Sequence, residues 1–171
     1  MNSPSLLEPR VELSGPNPAA FDGAGRLPAL VTQPDALTPI LVADDDADDV
    51  YFIRRLIAKT GIKNPVKVFE DGTEVVNYLG ARLAQGGGRH RPAQLLFLDL
   101  NMAGLGGFGF LEWARQQPGL TPLTIVVLSN SGEPADIARA LELGAHRYLV
   151  KYPCVQTITT IVRSVHPFTL V

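Results

Sequence analysis

This 171-residue sequence has a single cysteine, no long apolar run and no marked excess of one charge. Its one cysteine, Cys154, excludes an intrachain disulfide and is typical of a reducing compartment. No stretch approaches the ~18 apolar residues of a membrane span, and no signal peptide begins the chain. A net charge of −2 gives no general attraction to nucleic acid or to an anionic membrane. We therefore expect a cytoplasmic protein without membrane association or direct nucleic-acid binding.

The two ends of the chain differ in composition from its middle. Many of the 14 prolines and 16 glycines fall early in the chain, where they interrupt any helical or strand period. Residues 1–37 are therefore predicted to be a tail without regular structure, serving as a solvated linker or as a docking arm. The apolar residues 167–171 have no evident core to join and are predicted to be a short extension. Residues 38–166 are long enough for one domain.

Within residues 38–166, short apolar runs alternate with longer segments of helical period. The runs that predict strands are Ile40–Ala43, Val66–Phe69, 95–98, 125–128 and 148–150. Strands that are apolar on both faces and alternate with helices predict a parallel sheet covered on both sides, with right-handed crossovers. The sequence therefore predicts a doubly wound α/β domain with five strands and five flanking helices.

A cluster of acids follows the first predicted strand. Asp44, Asp45 and Asp46 come directly after its last apolar residue. Adjacent carboxylates at a strand end hold a hard cation more often than they remain a solvated acidic loop, because the cation offsets their repulsion. Asp48 and Asp49 lie in the first turn of the next helix, where the helix dipole stabilises negative charge. We interpret those two as structural.

Three further strand ends also carry polar groups. Asp99 follows the third strand, Ser129 ends the fourth, and Lys151 follows the fifth. The reactive crevice of such sheets lies at the carboxyl ends of the strands, so Asp99 is the candidate nucleophile and faces the acids of the first strand. Its attack on a phosphoryl donor would give an acyl phosphate, with Mg²⁺ neutralising charge. The lysine and the serine complete an anion site.

This ordered set of motifs resembles the receiver domain of two-component response regulators. The matching segments are residues 40–46 (ILVADDD), 69–72 (FEDG), 98–104 (LDLNMAG), 127–129 (VLS), 143–145 (LGA) and 148–151 (YLVK). The resemblance implies a flavodoxin-like sheet of order 2-1-3-4-5. It also implies a phosphoacceptor, not an enzyme, that controls protein–protein interaction.

The resemblance assigns a role to each site residue. It implies that Asp99 accepts the phosphoryl group from a sensor histidine kinase. It further implies that Asp44 and Asp45 hold Mg²⁺, and that the backbone carbonyl of Asn101 completes the metal shell.

The remaining roles implied by the resemblance concern the switch. Ser129 corresponds to the switch hydroxyl, Lys151 to the phosphate-contacting lysine, and Tyr148 to the aromatic residue that rotates inward. The face made by the fourth helix, fifth strand and fifth helix is then the output, and we expect a homodimer through it. The segments 48–50 (DDV) and 71–73 (DGT) are most similar to stand-alone receivers encoded with bacterial phytochromes, which implies a bacteriophytochrome kinase as partner.

Some features depart from the family, and an alternative function remains. The family usually has proline where Ala103 stands and Lys-Pro where Lys151 precedes Tyr152, so the usual cis peptide is expected to be absent or displaced by one residue. The alternative is a Mg²⁺-dependent phosphohydrolase of the haloacid dehalogenase type using Asp44 and Asp46, although its expected Gly-Thr is missing after the second acid.

Overall fold

The computed structural model describes residues 37–85 and 94–165, in which five strands alternate with five helices. The strands are β1 (Ile40–Ala43), β2 (Val66–Phe69), β3 (Leu95–Leu98), β4 (Thr124–Ser129) and β5 (Arg147–Val150). The helices are α1 (Ala47–Lys59), α2 (Gly72–Ala84), α3 (Gly106–Ala114), α4 (Pro134–Glu142) and α5 (Val155–Ser164), and a 3-10 turn spans Pro118–Leu120. The extension predicted over 167–171 and, except for Leu37, the tail predicted over 1–37 lie outside the described residues.

All strand pairs are parallel, and the sheet order is β2-β1-β3-β4-β5. The predicted doubly wound fold and its order 2-1-3-4-5 are confirmed. The sheet separates two apolar clusters: one face is covered by α2, α3 and α4, and the other by α1 and α5. β1 and β3 are buried at every position because they lie in the centre of the sheet with helices on both faces.

The two edge strands differ from the expectation that all strands are buried on both faces. β2 and β5 each pair with a single neighbour, and both have exposed positions. In β5, Val150 is 49% exposed although it is apolar. An edge strand loses the cover that a second neighbouring strand and its helix would give.

Local signals explain where the helices next to the crevice begin. The Asp46 side chain caps α1 by accepting from the N–H groups of Asp48 and Asp49, at 2.8 and 3.4 Å. Asp71 caps α2 by accepting from the Glu74 N–H at 2.9 Å. These caps fix the loops that leave the carboxyl ends of β1 and β2.

The loop between β3 and α3 depends on close backbone approach. A Cβ atom on Gly107 would clash with the carbonyl oxygen of Asp99 and would lie 2.7 Å from the Leu100 Cα. The Gly107 N–H donates to the Leu100 carbonyl at 3.1 Å, which closes the loop between these two residues. Only glycine fits here, and the turn holds the backbone on both sides of Asp99.

Candidate functional site

The strand register places two buried acids side by side. Ala43 at the end of β1 pairs with Leu98 at the end of β3, so Asp44 and Asp99 leave neighbouring strands at the same level. The Asp99 N–H donates to the Ala43 carbonyl at 2.8 Å and continues the pairing by one step. Both acids are about 95% buried, with exposures of 4% and 5%. The structure thus brings together two of the acids that the strand ends singled out.

Asp45 completes a three-carboxylate cluster that fits a cation. Carboxylate oxygens of Asp44, Asp45 and Asp99 lie within 4.8 Å of one another. The exposed Asp45 also accepts from the Ala103 N–H at 3.1 Å, which joins the loops after β1 and β3. Among the described residues, the buried Oδ1 of Asp99 has no hydrogen-bond donor. Because an unsatisfied buried oxygen is costly and Mg²⁺ prefers oxygen ligands, this donor set fits Mg²⁺.

Lys151 places a buried ammonium group beside these acids. Its Nζ lies 2.8 Å from Asp44 Oδ2 and 3.5 Å from Asp99 Oδ1. The backbone supports this position, since the Lys151 N–H donates to the Ser129 carbonyl at 2.9 Å and extends the pairing of β4 with β5. The peptide bond between Lys151 and Tyr152 is cis, although Tyr152 is not a proline. The expectation that the cis peptide is absent or displaced by one residue is therefore wrong.

The structure adds a residue that sequence reasoning interpreted as merely structural. Asp49 Oδ2 lies 2.7 Å from Lys151 Nζ, and Asp49 is only 7% exposed. Its neighbour Asp48 is exposed, as an acid in a first helical turn usually is. Helical spacing gave a weak signal for Asp49, because it lies four positions before the buried Ile53 and so shares its face. The interpretation of Asp49 as structural through the helix dipole is therefore incomplete.

Burial and the single ammonium shift the pKa values of the pocket in different directions. Burial raises the pKa of Asp44 and of Asp99, and the nearby Lys151 only partly offsets this. Burial also tends to raise the pKa of Asp49, but the hydrogen bonds from Lys151 and Tyr152 outweigh it and the pKa is lowered. Burial tends to lower the pKa of Lys151, whereas its bonds to Asp44 and Asp49 raise it well above its ordinary value. The lysine is thus firmly cationic.

The predicted switch residues lie on the neighbouring strands β4 and β5. Ser129 is fully buried, and its Oγ accepts from the Ser131 N–H at 3.2 Å. Tyr148 is half-buried, and its hydroxyl donates to the Ser131 carbonyl at 2.8 Å. Both residues therefore contact the loop between β4 and α4. Asn101 is exposed in the loop after β3, two residues beyond Asp99.

Fold and site together define a class of protein. A 2-1-3-4-5 parallel sheet with a buried acid after β3, an acidic pair after β1 and a lysine after β5 is the arrangement that the resemblance to a signalling receiver domain implies. The sequence model of the response regulator receiver domain matches residues 40–163. The chain belongs to this family of two-component signalling proteins, and the resemblance inferred from its motifs is confirmed.

Individual relatives come from several groups of organisms. The chain is 30% identical over 112 residues to the probable methanogenesis regulatory protein FilR2 of Methanothrix harundinacea, covering 66% of this chain and 70% of that protein. It is 26% identical to the response regulator Rcp1 of Synechocystis, covering 77% and 88% of the two chains. It spans only 58% and 52% of the Arabidopsis thaliana response regulators ARR8 and ARR9.

Among solved structures, the bacteriophytochrome response regulator RtBRR superposes with a TM-score of 0.64 at 26% identity, over 79% of this chain and 81% of that one. Neighbours thus include phytochrome-associated response regulators, as the sequence predicted. The hydrolase alternative gains no support, since Asp46 is engaged as the cap of α1. No helix in the part of the chain that the structure describes is long and apolar enough to span a membrane.

Proposed function

We propose that this receiver accepts a phosphoryl group on Asp99 and changes its protein contacts in response. The observation that carries the proposal is the buried Asp99 Oδ1, which no described donor satisfies and which lies 3.5 Å from the Lys151 ammonium. A carboxylate oxygen without a hydrogen-bond donor can act as a nucleophile. The Lys151 ammonium lies beside it and would offset the negative charge of the incoming phosphoryl group. Attack forms the O–P bond of an acyl phosphate as the donor's bond to phosphorus breaks, and the leaving group takes that electron pair.

The same pocket supports a requirement for Mg²⁺. Asp44, Asp45 and Asp99 offer the ligand oxygens, and the Asn101 carbonyl is the further ligand that we propose. When bound, the metal supplies positive charge for the acids and for phosphoryl oxygens. Lys151 contributes a further positive charge beside Asp99 for the phosphoryl oxygens. We propose that the protein has no catalytic turnover beyond slow loss of its own phosphoryl group.

The proposed switch couples this charge to the loop after β4. New negative charge on Asp99 attracts Lys151 and the Ser129 hydroxyl. Because Ser129 and Tyr148 both contact Ser131, a shift of Ser129 alters the space available to the Tyr148 ring. The face made by α4, β5 and α5 then changes shape. We propose that this face mediates protein contacts, including a homodimer, and that residues 1–37 and 167–171 are a tail and a short extension outside the receiver of 38–166.

We propose a sensor histidine kinase of the bacteriophytochrome kind as the phosphoryl donor. The support is that RtBRR and AtBRR, each described as a bacteriophytochrome response regulator, align over 79% of this chain at 26% identity.

Phosphoryl uptake from a small donor tests the function. We expect wild type, incubated with acetyl phosphate and Mg²⁺, to gain one phosphoryl adduct by intact mass, and Asp99→Asn to gain none. Asp45→Ala is expected to lose the Mg²⁺ dependence, because it removes a ligand. Asp46→Asn is the matched control: it keeps a side-chain acceptor for the α1 cap and is expected to take up phosphate normally.

Two results contradict the proposal. One is uptake at the same stoichiometry by Asp99→Asn. The other is catalytic turnover of a phosphate ester that is lost in Asp46→Asn, which would support the hydrolase. Replacing acetyl phosphate with a phosphorylated bacteriophytochrome kinase tests the partner, and transfer no faster than from an unrelated histidine kinase contradicts that part.

A further inference from the structure

Three buried carboxylates share one ammonium group at the centre of the site. Lys151 and its partners Asp44, Asp49 and Asp99 all have side chains that are 8% exposed or less. An ammonium has three N–H donors. Two of them are used at short range, on Asp49 at 2.7 Å and on Asp44 at 2.8 Å, while Asp99 lies at 3.5 Å. The lysine is therefore drawn toward the two flanking acids and away from the proposed phosphoacceptor.

Asp49 differs from the other two acids in its position and its partners. It is not part of the cluster of Asp44, Asp45 and Asp99 that fits a cation. It lies on α1, and Lys151 is 102 residues further along the chain. The two hydrogen bonds from Lys151 and Tyr152 lower the pKa of Asp49 in spite of burial. A bound cation would offset the charge of the cluster and would leave Asp49 as the acid still competing for the lysine.

We infer that Asp49 is a positioning residue that competes with the phosphoryl group on Asp99 for the Lys151 ammonium. Before phosphorylation, Asp49 keeps the lysine within 2.7 Å and withholds it from Asp99. Afterwards the phosphoryl oxygens attract the ammonium more strongly than a single carboxylate does, so the lysine leaves Asp49. The inference rests on the proposed function, because it assumes that Asp99 is the acceptor.

The competition has a consequence for the surface around α1. The Asp49 carboxylate also interacts with the Tyr152 hydroxyl, and the Tyr152 ring packs edge-on against Phe52 of α1 with 4.8 Å between centroids. Tyr152 is 59% exposed. Release of the lysine leaves the Asp49 carboxylate with the Tyr152 hydroxyl as its remaining partner. Phosphorylation therefore changes contacts at the start of α1 as well as on the face made by α4, β5 and α5.

Binding of a phosphoryl mimic measures the competition at equilibrium. The probe is the beryllium trifluoride anion with Mg²⁺, titrated into wild type, Asp49→Asn and Asp48→Asn. Asp49→Asn keeps a side-chain acceptor but removes the charge that attracts the lysine, so its half-saturating probe concentration is expected to fall roughly tenfold. Asp48→Asn removes an equal charge one residue away on the exposed side of the same helical turn, and is expected to shift the value less than about twofold.

A shift in Asp49→Asn no larger than that in Asp48→Asn overturns the inference. A second measurement does not depend on any variant folding. In a crystal structure of wild type with Mg²⁺ and beryllium trifluoride, we expect Lys151 Nζ to be out of hydrogen-bond range of Asp49. A lysine that stays on Asp49 in that structure overturns the inference while the proposed function stands. Failure of wild type to bind the probe at all refutes the proposed function itself.

Discussion

At the scale of single residues, the pocket contains buried acids whose pKa values shift in opposite directions. Burial raises the pKa of Asp99, so the fold disfavours its charged form. Asp49 has the opposite shift because Lys151 and Tyr152 outweigh burial. If Asp99 is the phosphoacceptor that we propose, the site keeps its acceptor in an environment that penalises the acceptor's charge. Such a residue would contribute to function and work against stability.

We expect Asp99→Asn to be more stable than wild type at pH 7 without Mg²⁺, because burial penalises the ionised carboxylate. A carboxyl whose pKa is raised on folding favours the folded state only when it is protonated, so the ionised group is unfavourable at pH 7. The advantage of the variant should shrink as the pH falls through the raised pKa, because protonated Asp99 resembles asparagine. Urea unfolding at several pH values measures this.

The effect of Mg²⁺ on the stability of wild type and of Asp99→Asn gives a second test of that prediction. A ligand that binds only the folded state stabilises it, so Mg²⁺ should stabilise wild type and have much less effect on Asp99→Asn. Asp48→Asn, which changes an exposed acid, is expected to remain close to wild type in both conditions. Wild type more stable than Asp99→Asn at pH 7 in the absence of divalent ions would show that burial does not penalise this carboxylate.

At the scale of elements, α2 and α3 each contain a glycine, and the space around the two glycines differs. Gly107 in α3 lies against the backbone of Asp99 and Leu100, with no room for a Cβ atom. Gly80 in α2 has space, since the atom nearest to an added Cβ is Trp113 Cζ2 at 3.9 Å. One glycine is required by packing next to the site, and the other is not.

We predict opposite outcomes for alanine at these two positions. Gly107→Ala is expected to lose about 2 kcal/mol or more of unfolding free energy, because backbone must move. It should also reduce phosphoryl uptake, since the displaced backbone carries Asp99. Gly80→Ala should gain up to about 1 kcal/mol, since alanine is the better helix former. Chemical denaturation of both variants tests this, and equal effects would contradict the close approach at Gly107.

Particular elements show how far the sequence determines the fold and the site. The all-apolar runs of β1 and β3 predicted central strands. The acids that follow these strands lie side by side because the strands are neighbours and end at the same level of the sheet. The role of Asp49 could not be predicted in the same way. Sequence places it in the first turn of α1, but its partner Lys151 comes from the loop between β5 and α5, far along the chain. The four-residue spacing from the buried Ile53 indicates that Asp49 shares a face with it, but the spacing does not identify Lys151 as the group that this acid meets.

At the scale of the whole molecule, apolar side chains remain exposed on α4 and β5. Leu141 is 46% exposed and Val150 is 49% exposed. Both belong to the face made by α4, β5 and α5, through which we propose that two copies associate. Tyr51 is exposed to a greater extent, at 64%, and lies on α1, which is not part of that face.

We expect wild type to be dimeric by light scattering at micromolar concentration, and Leu141→Glu to be shifted toward monomer, because a buried charge opposes association. Tyr51→Glu adds the same charge at another exposed apolar position and should leave the dimer intact. The three proteins are compared with and without acetyl phosphate and Mg²⁺. A wild-type monomer in both conditions, or equal loss of dimer in both variants, would contradict association through this face.

The distance along the chain between Lys151 and its acidic partners also has a consequence for synthesis. Lys151 is translated 102 residues after Asp49. At about 5–20 residues per second, the ribosome needs on the order of 5–20 s to deliver it after that acid. During this interval the nascent chain carries its acids without the ammonium that later balances them. The last strand therefore supplies an edge of the sheet, and Lys151 directly after it supplies the charge that completes the pocket, so an unfinished chain cannot present the assembled site to a phosphoryl donor.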